Sequence, residues 1–127
     1  EGHFAKRNNK DVFSKIAVAV DHRFENGIQF KLEQYYNGEP SASRSLFASK
    51  AYTAIGAGKR LTPLFSADGV VFVNLIDSSS LAAIYTVYSL ADELELAQTF
   101  LAPIEQKAQS EFGQQPYLMG IELRYYF

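Results

Sequence analysis

Along most of this chain apolar and polar positions alternate with period two, the spacing of strands that bury one face. Phe24, Asn26, Ile28, Phe30, Leu32 and Gln34 stand against Glu25, Gly27, Gln29, Lys31 and Glu33. Before them, Ser14, Ile16, Val18 and Val20 stand against Lys15, Ala17, Ala19 and Asp21. A weaker stretch over 47–59 sets Thr53, Ile55 and Ala57 against Tyr52, Ala54, Gly56 and Gly58. Phe65, Ala67, Gly69, Val71, Val73 and Leu75 then oppose Ser66, Asp68, Val70, Phe72 and Asn74, and Leu94, Leu96, Gln98 and Phe100 oppose Glu93, Glu95, Ala97 and Thr99. In the last segment Tyr117, Met119, Ile121, Leu123, Tyr125 and Phe127 share one face, while Leu118, Gly120, Glu122, Arg124 and Tyr126 share the other.

Residues 81–89 are nearly apolar on both faces, so that segment's orientation stays open. The Ala, Leu and Glu content of 81–100 also suits a helix. Tyr85-Thr86-Val87-Tyr88 and the strict alternation of Glu93-Leu94-Glu95-Leu96 favour strands instead. A short helix has room within 102–112. The pattern predicts an all-β, antiparallel, up-and-down arrangement of about seven strands in one domain over 1–127, with 1–11 a loop and the strands and turns in 12–127.

Composition narrows the classes. No cysteine occurs, which removes disulfides, thiolate nucleophiles and cysteine metal sites. A net charge of −2 with no clustered Lys/Arg stripe argues against a nucleic-acid partner. No apolar run approaches the roughly 20 residues of a membrane helix. The mean hydropathy of −0.12 suits a soluble protein, but equally a membrane barrel, in which only alternate residues meet lipid.

The spacing Gly120, Leu123, Tyr125, Phe127 resembles the C-terminal β-signal of Gram-negative outer-membrane proteins. Thr62-Pro63-Leu64 leading to 73–80, then 88–96, then Ser110-Glu111-Phe112-Gly113 and the last strand, is similar to the closing hairpins of poorly characterised porin-like and exporter-like members of that group. The resemblance implies a transmembrane β-barrel in the bacterial outer membrane, with membrane lipid and the barrel assembly machinery as partners, the latter through the last strand. Gln98 departs from the apolar residue usual on a lipid-facing side.

The connections fit that implication. If the last residue lies at the periplasmic side, the turns at 22–23, 60–63 and 90–92 are periplasmic, and 37–45, 77–80 and 103–116 are extracellular. Both long polar connections then fall outside, as in outer-membrane barrels. The same count puts 1–11 outside, whereas single-chain bacterial barrels have even strand numbers. Upstream strands absent or unassigned, an eighth strand within 1–10, or a count off by one would each resolve this. Lys6-Arg7-Asn8-Asn9-Lys10 is poor strand material, so the preferred expectation is part of a larger barrel, completed by further strands of the same protein. Tyr35-Tyr36 and Tyr125-Tyr126-Phe127 are expected as interfacial aromatics at opposite strand ends.

Nothing points to catalysis. His3 lies in the polar start and His22 in a predicted turn. Ser14 and His22 share a face but lie roughly 26 Å apart along an extended strand, too far for a nucleophile and its base. Ser78-Ser79-Ser80 reads as a turn cluster. Ala54 to Lys59 lacks the spacing of a phosphate loop and fits a curved strand. The expectation is therefore no enzyme, no cofactor and no metal. The candidate residues are lumen-lining: Lys15, Lys31, Glu33, Asp68, Asn74, Glu93, Glu95, Glu122 and Arg124. A pore or passive transport barrel would use them to set a polar path. The alternatives are a non-transport outer-membrane scaffold, with 103–116 as its interaction loop, and a soluble lipocalin-like barrel holding an apolar ligand inside.

Overall fold

The computed structural model of the chain describes residues 2–5, 13–38 and 47–127. Their strands form one antiparallel sheet in strict sequence order. It runs β1 (Gly2–Ala5), β2 (Phe13–Arg23), β3 (Gln29–Asn37), β4 (Ala51–Thr62), β5 (Phe65–Asn74), β6 (Ser80–Ala91), β7 (Leu94–Pro103) and β8 (Leu118–Tyr125). Seven strands are long, and β1 is a four-residue edge. It falls inside the stretch expected as a loop and is an eighth strand within 1–10, the alternative to that expectation; residues 6–12 lie outside the described residues. No helix forms at 81–100 or 102–112. The sheet is open and not a closed barrel, with β1 and β8 as its edges.

Turn chemistry moves several boundaries. His22 and Arg23, expected in a turn, end β2, and the reversal is at 24–28. Asn26 and Gly27 supply the reason. The Asn26 side-chain oxygen accepts the Ile28 N–H at 3.1 Å, the Gly27 N–H donates to the Phe24 carbonyl at 2.9 Å, and Gly27 has φ 82°. Phe24 and Asn26 therefore leave the strand pattern. The other reversals at this end are tight, at 63–64 and 92–93. Each follows a register shift, between Arg60 and Thr62 in β4 and between Ser89 and Ala91 in β6, where a bulge increases the local twist.

At the opposite end the connections are 6–12, 38–50, 75–79 and 104–117. Long and short connections thus segregate to the two ends, apart from the compact 75–79 turn, which Asn74 and Asp77 hold together. The Asn74 side-chain oxygen accepts the Ile76 N–H at 2.9 Å, and that of Asp77 accepts the Ser79 N–H at 2.9 Å.

The pairing registers assign the faces, because directly opposed residues point to the same side. Ile16, Val18, Val20, Leu32, Ile55, Val71, Ile84, Phe100, Ile121 and Leu123 share one side. It is apolar and solvent-exposed: Val20 is 61%, Ile84 50% and Ile121 65% exposed. The register also settles β6, where Leu81, Ala83, Tyr85 and Val87 turn to the other side, with Asp68.

Opposed residues also drift along the sheet. Val20, near the turn end of β2, lines up through Leu32, Ile55, Val71 and Ala82 with Ala102, at the far end of β7. A one-way stagger of this kind is the tilt that sheets need to curl toward a cylinder.

Candidate functional site

The second side of the sheet carries most of the charges, Lys59 of β4 being on the apolar side opposite Ala67. Asp21 opposes Lys31 and Lys31 opposes Gly56, while Gly58 opposes Asp68, which opposes Tyr85. Tyr85 opposes Thr99, and Glu95 opposes Arg124. Small residues between the charges open a groove of ≈300 Å³ bordered by Lys31, Glu33, Asp68, Phe72 and Tyr85. On β8 the Arg124 guanidinium pairs with Glu122 at 2.8 Å. That pair is solvent-exposed and so contributes little stability. The Tyr126 hydroxyl donates to Glu95 at 3.0 Å.

Of the nine sequence-stated candidates, Lys15, Lys31, Glu33, Asp68, Asn74, Glu95, Glu122 and Arg124 fall on this one side. Two of the nine sit differently from the expectation. Glu93 lies in the 92–93 turn and accepts the Tyr125 hydroxyl at 3.0 Å, away from the charged face, because the tight turn takes it out of the ladder. Asn74 is on the face but fully buried, since loops cover that end of the sheet.

This cover is the part that sequence reading missed. Near the long-loop end the charged side gives way to Tyr35, Tyr52, Phe72, Leu81 and Leu101. The segment 104–117 folds over them and inserts Phe112, which is completely buried. Phe47 closes the cluster, its ring meeting Tyr52, Phe72 and Phe112 edge-on with centroids 5.1, 5.3 and 5.8 Å away. Tyr35 therefore packs inward against Tyr52 rather than lying at an interface, whereas Tyr36 stays on the apolar side and is exposed.

A polar cluster fixes this cover. The Glu111 carboxylate accepts the Tyr52 hydroxyl at 2.7 and 2.9 Å, the Asn74 amide at 2.8 Å and the Ala48 N–H at 2.7 Å. Asn74 also donates to the Ser49 hydroxyl at 2.9 Å, and the Ser49 N–H donates to the Tyr52 hydroxyl oxygen. Asp77 accepts the Glu111 N–H at 2.7 Å and the Ser79 hydroxyl at 2.6 Å, and the Ser79 hydroxyl oxygen accepts the Phe112 N–H at 3.2 Å. Burial pushes the Asp77 carboxyl up most strongly of any single effect. The bonds from the Ser79 side chain and from the Glu111 and Ser79 backbones outweigh it together and hold the carboxyl below its ordinary value.

Below the cover a cavity of ≈550 Å³ opens between Ala17, Ala19, Glu33, Tyr35, Phe47 and Phe72. Among the described residues that line it there is no histidine or serine. His22 faces the apolar side and stacks edge-on with Phe24, ring centroids 4.6 Å apart.

The β-signal positions divide between the faces. Leu123 and Tyr125 oppose Leu96 and Leu94 on the apolar side, and Gly120 opposes Thr99 on the charged side. Tyr125 stacks on Phe127 with centroids 6.3 Å apart.

Fold and site together define an all-β antiparallel meander with one bare apolar face and one charged face partly roofed by loops. Comparison with protein families, curated proteins and solved structures returns no match for this chain.

Proposed function

We propose that the chain is a segment of an outer-membrane β-barrel whose charged face lines a passive path for solutes. The observation that carries this reading is the division of a single sheet between an exposed apolar side and a charged side. Water penalises an uncovered face of this size. Lipid accepts it without cost, provided that every backbone group within the membrane is paired. The free edges at β1 and β8 fail that condition, so the reading requires the cylinder to be completed, by further strands of the same protein or by pairing of β1 with β8. The one-way stagger of the registers and the segregation of short turns to one end support closure in that sense.

In this barrel Lys15, Lys31, Glu33, Asp68, Glu95, Glu122 and Arg124 would line the water path and set its charge preference. Among polar residues on the lipid side, the Thr53 hydroxyl donates to Gln34 across the strands at 2.7 Å, Gln98 opposes Thr86, and Lys59 opposes Ala67 near the short-turn end of β4. Gly120, Leu123, Tyr125 and Phe127 would be read by the assembly machinery.

The test is behaviour in solution and in lipid. A detergent-dependent protein that inserts into vesicles and conducts ions in a planar bilayer supports the proposal. Insertion without conductance leaves the scaffold reading in its place. A monodisperse monomer without detergent overturns the membrane assignment and favours a soluble barrel with an apolar ligand.

A further inference from the structure

We infer that Glu111 is a latch that pins segment 104–117 across the charged face and makes it a constriction of the proposed path. The inference rests on that reading for its consequence, and on the geometry of the cover for its substance. Long surface connections ordinarily run over the outside of a fold. This one turns inward and buries Phe112 completely against the same side of the sheet that carries Lys31 and Asp68.

Three connections meet at one residue. Glu111 accepts from Ala48 of the 38–50 connection and from Tyr52 and Asn74 at the ends of β4 and β5, while its own N–H is held by Asp77 of the 75–79 turn. A carboxylate with this many donors is a fixed acceptor, and hydrogen bonds to charged groups are the strong ones.

A second observation points the same way. Phe47 has φ 72°, a left-handed conformation that a bulky side chain rarely adopts. It persists because the ring is held by Tyr52, Phe72 and Phe112. Backbone strain held by packing marks an arrangement that the surroundings over-determine. The acceptor capacity of Glu111 is spent on the latch rather than offered to a solute. Glu33, at the margin of the cavity beneath, is the carboxylate that a solute passing the constriction would meet.

The natural absence of cysteine makes the latch directly readable. Ser110, 5% exposed beside the latch, is replaced by cysteine in the full-length protein in lipid, and maleimide labelling is timed with and without Glu111→Ala. Gln109→Cys, at an exposed neighbour, reports reagent access, and Glu111→Gln serves if the alanine variant fails to fold. The expected result is slow labelling of S110C, accelerated at least tenfold by Glu111→Ala, with Q109C unchanged and single-channel conductance raised. Unchanged S110C labelling overturns the latch. Accelerated labelling with unchanged conductance in a conducting protein overturns the constriction. Accelerated labelling in a protein that never conducts supports the latch and sinks the pore reading instead.

Discussion

The Asp68 carboxylate occupies the space that a β-carbon on its register partner Gly58 would need. At Gly113 an added β-carbon would instead stand 2.6 Å from the Lys107 backbone nitrogen and 2.7 Å from its carbonyl oxygen. The two glycines face the same kind of collision with different obstacles. One obstacle is the movable end of an exposed side chain; the other is backbone within a closed loop.

Gly58→Ala is therefore expected to swing Asp68 aside at a cost of no more than about 0.5 kcal/mol, the ordinary range for surface substitutions. Gly113→Ala is expected to cost about 1–3 kcal/mol, as overpacking does where the neighbours cannot yield. The difference should appear in denaturant melts, and as faster tryptic cleavage at Lys107 in the Gly113 variant alone. Equal behaviour of the two variants would contradict the close approach at Gly113.

Phe112→Ala removes the largest fully buried side chain among the described residues. Deleting a buried phenylalanine costs about 3–5 kcal/mol. Here the loss falls on the cover, because β7 and β8 keep their ladder without it. The expected outcome is a sheet with unchanged circular dichroism whose amides at 47–50 and 104–117 exchange hydrogen quickly. A global loss of sheet would mean that the cover nucleates the fold.

Asp77 gives the cover a pH dependence with a definite sign. Its folded carboxyl lies below the ordinary value, so the ionised form contributes stability at pH above the ordinary aspartate range, about 3.9. This contribution begins to fall as pH drops through that value and is gone below the depressed folded one. Other carboxylates titrate in the same window, so the quantity to measure is the difference between wild type and Asp77→Asn. That difference is expected to be constant at neutral pH and to shrink on acidification. A difference that grows toward low pH would reverse the assignment.

Much of the sheet was legible in the alternation. Ile16 to Val20, Phe30 to Leu32, Val71 to Val73, Leu94 to Phe100 and Met119 to Leu123 take the faces that period two assigns them. Asn26-Gly27 is a readable turn signal, masked by Phe24 and Ile28, which continue the alternation across it. The β6 face was not legible, since Leu81 to Ser89 offers apolar residues to both sides and only pairing with Asp68 and Thr99 breaks the tie. The cover was hidden for a different reason. Glu111, Asp77 and Tyr52 are far apart in sequence, and no local periodicity links them. Phe112, an isolated aromatic between Glu111 and Gly113 in a polar connection, was the one local hint that the segment buries something.

The two faces can be told apart by one residue, Ile84. It sits mid-sheet on the apolar side, opposite Gly69 and Phe100, and is half exposed as the chain stands. If water covers this side, Ile84→Lys replaces an exposed apolar group by a solvated one and changes stability by no more than about 0.5 kcal/mol. If lipid covers it, a lysine near the bilayer midplane costs about 2–4 kcal/mol. The neighbouring Ala83→Lys, on the charged side beside Asp68 and Tyr85, controls for the effect of lysine on the strand itself. Folding titrations in lipid vesicles are expected to show a large loss for Ile84→Lys and a small one for Ala83→Lys. Comparable losses would place both sides in the same medium, and the division of the sheet into lipid and water faces would fail with it.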